Sequence, residues 1–158
     1  MGIVLVRIDN RLIHGQILEA WVPALQADCI VVANNQLAEI AFQKVLMESA
    51  VPRGIKVAIG SIEEMAQLLR SEELSACRVL LLFGNAQDAL QAHRLGVSFD
   101  ELNLGNLHGG KDKKRLSCTV ALNDDDIEQL QALEDDGVKV VMQCVPSDRQ
   151  RLWRRLIR

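Results

Sequence analysis

The chain has 158 residues, of which 49% are hydrophobic and 25% charged, with a formal net charge of −3 at pH 7. A chain of that size and ordinary composition suits one domain with its own core, and excludes a disordered or low-complexity polymer. No apolar run approaches the ~18 residues needed to span a bilayer, and the mildly acidic balance argues against nucleic acid as the main partner.

With no signal peptide ahead of the first apolar segment, a cytoplasmic protein is expected. Ile3 to Val6 predicts a short buried strand, followed by a polar turn. A helical pattern then places Ile17, Leu18, Trp21, Val22 and Leu25 on one face. Pro23 inside that pattern predicts a kink or an early stop. Cys29 to Ala33 reads as a central parallel strand, broken by Asn34-Asn35. A helix over about Ala38 to Ser49 is expected to turn Ile40, Phe42, Val45 and Leu46 toward the core. After the turn at Pro52-Arg53-Gly54, a third strand covers Lys56 to Ile59. Ser61 with Glu64 three residues on forms an S-x-x-E capping box, so a helix starts there and runs to about Leu69. Arg78 to Phe83 is the most apolar run and the fourth strand. Gly84-Asn85 then leads into a helix that Gly96 stops. This alternation implies right-handed βαβ units and a sheet covered on both faces.

Beyond Gly96 the pattern changes. A short strand at Leu102 to Leu104 is followed by Gly105-Asn106-Leu107-His108-Gly109-Gly110, a basic run from Lys111 to Arg115, and a strand over Leu116 to Leu122. With only a loop between them, these two strands are expected to pair antiparallel. Asn123 caps a long helix through Asp124-Asp125-Asp126, and Gly137 ends it. A last strand, Val138 to Val145, leads through Pro146-Ser147-Asp148 into a basic amphipathic helix ending at Arg158. The expected fold is one three-layer α/β/α domain over residues 1–158. Its central sheet has about six to seven mostly parallel strands, with an antiparallel element near the C-terminus. Cys29, Cys77, Cys118 and Cys144 form no C-x-x-C pair and read as free, buried thiols.

Chemistry gathers on the first βα loop, where His14 stands at a helix start with Arg7, Asp9 and Arg11 within seven residues. Ligands bind beyond the carboxyl ends of strands in open α/β sheets, and unpaired N–H groups at a helix start favour an anion. A neutral imidazole is nucleophilic near pH 7, and arginine offers a planar fork for phosphoryl oxygens. Arg7 and Arg11 are the candidates for that fork. Asp9 holds Arg11 or orients the imidazole, and Gly15 lets backbone approach the anion. Each of these residues alone would be an ordinary cap or surface charge.

The run Arg7-Ile8-Asp9-Asn10-Arg11-Leu12-Ile13-His14-Gly15-Gln16 resembles the signature of the enzyme IIB component of the mannose/fructose/sorbose-type sugar phosphotransferase system (PTS). The resemblance extends over the rest of the chain in element order and length. It implies that His14 carries a phosphoryl group on Nδ1, taken from a phosphohistidine on a IIA protein or domain. The group then passes to a sugar presented by membrane IIC and IID components, with no metal or cofactor. Asn10 stands where relatives often have an acidic residue and is read as a tolerated change. Asn10, Ile13, Gly15 and Gln16 complete the phosphate loop. Phe83, Gly84, Asn85 and His108 are assigned to the pocket edge, His108 within a family-like N-x-G-x-x-H stretch. His93 is read as an exposed helix residue. The run Lys111, Lys113, Lys114 and Arg115 is a candidate docking surface for the donor, with a solvated turn as the alternative.

Other chemistries lack their motifs. G-x-x-x-x-G-K-[ST], a G-x-G-x-x-G after the first strand, G-x-S-x-G and H-E-x-x-H are all missing from the sequence. The alternatives to a phosphocarrier are a regulatory domain on the same fold, or an α/β protein in which His14 only contacts a phosphate ligand.

Overall fold

The computed structural model describes residues 2–110 and 112–157. Its first strand, β1 (Gly2–Asp9), is longer than the apolar run because Arg7 and Asp9 continue the extended backbone into the core. Helical winding begins at Gly15 and takes a π-helical form over Ile17–Trp21 before α1 (Val22–Leu25). Pro23 has no N–H to donate, and the helix ends three residues later at Gln26 in the left-handed conformation. The following elements are β2 (Cys29–Ala33), α2 (Asn35–Glu39), α3 (Ala41–Ala50), β3 (Lys56–Gly60), α4 (Ile62–Arg70), β4 (Arg78–Phe83), α5 (Ala86–Arg94) and β5 (Glu101–Asn106). The remainder comprises β6 (Lys114–Arg115), β7 (Ala121–Leu122), α6 (Asp124–Asp135), β8 (Lys139–Met142), β9 (Arg151–Leu152) and a 3-10 turn at Trp153–Arg155.

Seven strands form one sheet in the order β3-β2-β4-β1-β5-β8-β9, parallel throughout except for β9, which runs antiparallel to β8. The three-layer fold expected from the sequence is the one observed. Period-two alternation sorts the side chains between the faces. Val6, Ile8, Val31, Leu81, Phe83, Leu102 and Leu104 pack with α4, α5 and α6, while Ile30, Val32, Leu80 and Leu82 pack with Ile17, Trp21, Val22 and Leu37. Two helix starts follow the sequence rules atom by atom. Ser61 Oγ accepts from Glu64 N (3.0 Å) while Glu64 Oε1 accepts from Ser61 N (3.0 Å). Asn123 and Asp126 make the same reciprocal pair at 2.8 and 3.0 Å.

Several expectations are corrected. The helix predicted over Ala38–Ser49 is split at Ile40, and Ile40, Phe42, Val45 and Leu46 are exposed rather than buried. Its first part, α2, contacts β3, the sheet's outer strand, whereas α3 packs against α2, and only its Met47 side and the following Val51 reach the core. Leu116–Leu122 is not one continuous strand: Leu116 N donates to Val120 O (2.8 Å) as the segment turns back on itself, and only Ala121–Leu122 is extended, paired antiparallel with Lys114–Arg115 in a small hairpin (β6-β7). Nor does it pair antiparallel with the preceding strand, because β5 is committed on both sides to β1 and β8; Leu107 meets Val120 in a parallel bridge only. The last strand is shorter than expected, Lys139–Met142. The amphipathic C-terminal helix is replaced by β9 and the 3-10 turn, anchored by fully buried Trp153, whose Nε1 donates to Glu134 Oε2 at 2.8 Å. Arg158, given as that helix's end, lies outside the described residues. Cys29 and Cys77 are buried as expected, Cys144 is half-buried, and Cys118 is exposed because its segment is loop. No described helix is long and apolar enough to cross a membrane.

Candidate functional site

The loop between β1 and the first helix is shaped by two contacts within it and one to the end of β5. Leu12 N donates to Asp9 O (2.9 Å), Arg11 N to Asp9 Oδ1 (3.1 Å) and Asn10 N to Asn106 O (2.8 Å). Leu12 adopts φ 59°, a left-handed backbone that costs a non-glycine residue on the order of 1 kcal/mol and is retained here by its buried side chain. Ile13 is buried beside it in the helix-side core, so both apolar loop residues serve as anchors. That tight turn returns His14 over the end of β1.

Asp9 is the centre of the site and fully buried. Its Oδ2 lies 3.0 Å from His14 Nε2 and 3.6 Å from Arg7 Nε, and its Oδ1 lies 3.7 Å from Arg11 Nε. A carboxylate accepts only, so this contact places the proton on Nε2. Nδ1 of the neutral ring then carries a lone pair, with no hydrogen-bond partner among the described residues. The His14 side chain is 16% exposed, enough for the ring edge to be reached from solvent. Leu18 N donates to His14 O (3.1 Å), so the N–H groups of Gly15, Gln16 and Ile17 precede the first helical bond and have no intrahelical acceptor. Gly15 is exposed, and a Cβ built on it would meet nothing within 4 Å. Space for an anion stays open there.

The two arginines have different tasks. Arg11 is half-exposed and only loosely held by Asp9, free to reach over the ring. Arg7, expected to offer its fork to phosphoryl oxygens, is fully buried and cannot do so. Its side chain points to the helix-side face of the sheet. There Nη1 donates to Asn103 Oδ1 (2.5 Å) and to Gln143 O (2.8 Å), and Nη2 donates to Cys144 O (2.9 Å). The guanidinium lies 4.6 Å from the centre of the Trp21 ring, and an added Cβ at Gly105 would overlap it from the other side. Burial lowers its pKa from the ordinary arginine value, and the adjacent Asp9 carboxylate opposes that shift. Arg7 Nε itself has no hydrogen-bond partner and faces Asp9 across 3.6 Å. Arg7 therefore neutralises and locates Asp9 from beneath, and Asp9 locates the imidazole.

Asn103, Gly105, Trp21 and Gln143 complete the site without any sequence motif that marks them for it. Asn103 Nδ2 donates to Gln143 Oε1 (3.0 Å), and Gln143 Nε2 ties down the following loop through Pro146 O and Asp148 O. Arg7 pairs with Asn103 in register across 96 residues of sequence, a relation the sequence does not display. A weak signal existed: polar Asn103 and small Gly105 alternate with Leu102 and Leu104 in a strand otherwise built for burial.

The remaining candidates fall around this centre. Asn10 Nδ2 donates to His108 O (3.1 Å), which brings the Gly105–Gly110 loop against the first loop, with the His108 side chain exposed. Gln16 is half-exposed on the first helical turn. Phe83, assigned to the pocket edge, is fully buried in the main core. Gly84 lies against Asn34 and Leu12, and Asn85 is spent as the cap of α5, accepting from Asp88 N at 2.8 Å. His93, expected to be exposed, is half-buried edge-on to Phe99 and 3.7 Å from Asp136. Of the basic run, Lys111 lies outside the described residues, Lys113 pairs with Asp126 at 3.0 Å, and Lys114 and Arg115 are exposed on β6. Among the described residues no group of three or more His, Cys, Asp or Glu could hold a metal ion.

The chain is similar to known proteins over almost its whole length. It is 33% identical to the fructose-specific EIIB component of the PTS of Bacillus subtilis, over 94% of this chain and 91% of that protein. It is 28% identical to the mannose-specific EIIAB component of Escherichia coli, over 94% of this chain and 46% of that longer protein. The crystal structure of the IIBSor domain of the sorbose permease from Klebsiella pneumoniae superposes with a TM-score of 0.93 at 32% identity, covering 99% of this chain and 96% of that one. The model of the PTS system sorbose subfamily IIB component matches residues 3–158, and the chain belongs to that family.

Proposed function

We propose that this protein is a histidine phosphocarrier of a sugar phosphotransferase system. In this reading His14 accepts a phosphoryl group from a phosphohistidine of a IIA protein or domain and passes it to a sugar held by membrane IIC and IID components. The observation that carries the reading is the hydrogen bond between His14 Nε2 and buried Asp9, which leaves Nδ1 as the open nucleophile. The Nδ1 lone pair attacks phosphorus as the donor's N–P bond breaks, and the electron pair of that bond returns to the donor imidazole. The Nε2 proton stays on Asp9's side throughout. The product ring carries positive charge, which the Asp9 carboxylate offsets at 3.0 Å. Arg11 and the free N–H groups of the first helical turn stabilise the in-flight phosphoryl oxygens.

Support for a IIA partner comes from the mannose-specific EIIAB relative, whose name joins an A and a B component. The relatives' sugars include fructose, sorbose and mannose, and the acceptor here is a sugar of that class. The chemistry needs neither metal nor nucleotide, since the donor phosphohistidine is already activated. The protein acts at the cytoplasmic side of its permease.

The test is incubation with phosphorylated IIA, then mass spectrometry at alkaline pH, where phosphohistidine survives. A single phosphoryl group on the peptide containing His14 is expected, with none in His14→Ala and normal labelling in His93→Ala. Stoichiometric labelling of His14→Ala would overturn the assignment.

A further inference from the structure

We infer that the arginine-rich segment from Arg149 to Arg155 docks this protein on an anionic lipid surface. The chain as a whole is acidic, with a net charge of −3, yet residues 149–158 hold five arginines and no Asp, Glu or Lys. The segment is fixed by the pairing of β9 with β8 and by buried Trp153, which bonds to Glu134. Arg154 is spent locally, its Nε donating to Glu134 Oε1 at 2.5 Å. Arg149, Arg151 and Arg155 are exposed and have no acidic partner among the described residues. With Gln150, Leu152 and Leu156 they line one groove of about 490 Å³, and no acidic residue lines it. The neighbouring cavity beside Gln143 and Cys144 shares Arg149 and Arg151 but includes Asp148, which weakens it as an anion site.

The chemistry of the groove selects its occupant. Arginine presents a planar fork that pairs bidentately with phosphate oxygens, and every cation of the segment is arginine. The groove also has an apolar side, with Leu152 39% exposed and Leu156 half-buried. Cations beside a small apolar surface fit the boundary of a bilayer, where headgroup phosphates lie just outside the first methylenes. Clusters of about four to eight Lys or Arg attach proteins to anionic lipid in this way. An acidic protein segment is the competing occupant. The permease of the proposed function is a poor source of one, because cytoplasmic loops of membrane proteins carry an excess of Lys and Arg that this face repels.

The position of the groove agrees with this occupant. Arg151 stands in register with Met142, Met142 with Leu104 and Leu104 with Ile8, so Arg151 is level with the end of β1, three strand spacings or roughly 14 Å away. Since β9 runs antiparallel to β8, Arg149 lies beyond the end of β8, on the edge of the sheet from which the His14 loop rises. A lipid surface at that edge keeps the His14 loop beside the membrane that holds the permease. Only this consequence rests on the phosphocarrier reading; the attachment itself does not.

The experiment is co-sedimentation of the full chain with vesicles, either of neutral phosphatidylcholine or with one quarter of it replaced by phosphatidylglycerol. Binding to the anionic vesicles alone is expected, falling as salt rises from about 50 mM to about 500 mM. Arg149→Gln with Arg151→Gln should lower the partition coefficient on the order of 25-fold, about fivefold per arginine. Arg53→Gln with Lys139→Gln removes the same charge from positions outside the groove and should bind within about twofold of the parent. All four side chains are exposed, so circular dichroism should be unchanged in both pairs. Soluble glycerol phosphate at matched ionic strength should not release the protein, because it offers the phosphate without the surface. Failure to bind anionic vesicles overturns the proposal, including the case in which an acidic protein segment takes the groove, and so does equal binding to neutral ones. Equal losses in the two pairs overturn it by making the attraction a property of net charge, and release by glycerol phosphate does so by making the groove a site for a free phosphate ligand. Labelling of His14 is read in a separate assay, so either result stands without the other.

Discussion

Gly105→Ala tests the support beneath the histidine. A methyl group at this position would overlap the Arg7 guanidinium carbon and both terminal nitrogens. The guanidinium has no free direction: the Trp21 ring covers its other side, and its edges are fixed on Asn103, Gln143 and Cys144. Moving it breaks charge-assisted hydrogen bonds worth about 1.5–3 kcal/mol each and strands a buried charge beside Asp9. If relaxation saves part of the network, the loss is that of one bond plus overpacking, on the order of 3–5 kcal/mol. Urea denaturation should show a lower midpoint with an unchanged slope. Phosphoryl acceptance by the folded variant should fall as well, because Asp9 loses the group that locates it. The decisive control is a double-mutant cycle: in an Arg7→Ala background, Gly105→Ala should be nearly neutral, since the clash has gone. Loss of less than about 0.5 kcal/mol in the parent, or equal losses in both backgrounds, would refute the reasoning.

Asp9→Asn keeps a hydrogen-bonding group beside His14 but leaves Arg7 buried without its counter-charge; stability should fall by about 3 kcal/mol in the same denaturation assay, with acceptance slowed further. Arg11→Lys retains charge and loses the fork, so phosphoryl transfer followed by rapid quench should slow on the order of 10²-fold at unchanged stability, and a rate within twofold of the parent would make Arg11 a bystander. The cysteines should separate by environment: burial pushes the Cys29 thiol up to about 11. Its folded value exceeds the unfolded one, so the neutral thiol's contribution to stability is intact below pH 9 and disappears as pH rises through 11. A thiol reagent at pH 8 should therefore label exposed Cys118 at once and Cys29 only after unfolding. Reversing Lys114 and Arg115 to Glu should lower the encounter rate with phosphorylated IIA most at low salt, if the exposed end of the basic run steers the donor; an unchanged low-salt rate assigns it to ordinary surface. Lys113 is left out because its pair with Asp126 would confound that measurement with the capping of α6.

What the sequence determined by itself was local. Apolar runs of strand length, 3.6-period helices, the caps at Ser61 and Asn123, and the loop carrying His14 all depend on neighbours within a few residues. Those neighbours give the same answer in almost any tertiary setting, and the doubly covered parallel sheet follows from their order. The tertiary structure decided what depends on distant partners. Arg7 and Arg11 look alike in sequence, but strand alternation turns Arg7 into the sheet, where register brings Asn103 alongside, while Arg11 sits on a turn facing solvent. The exposed seam of α3 has the pattern of a buried one, and only the tertiary structure, in which Met47 takes the inward side, leaves it without a core. At the C-terminus, the 3.6-period reading lost to two long-range attachments: β9 pairing with β8, and Trp153 bonding to Glu134. Periodicity records which side chains need burial; what buries them is fixed by segments far away in the chain.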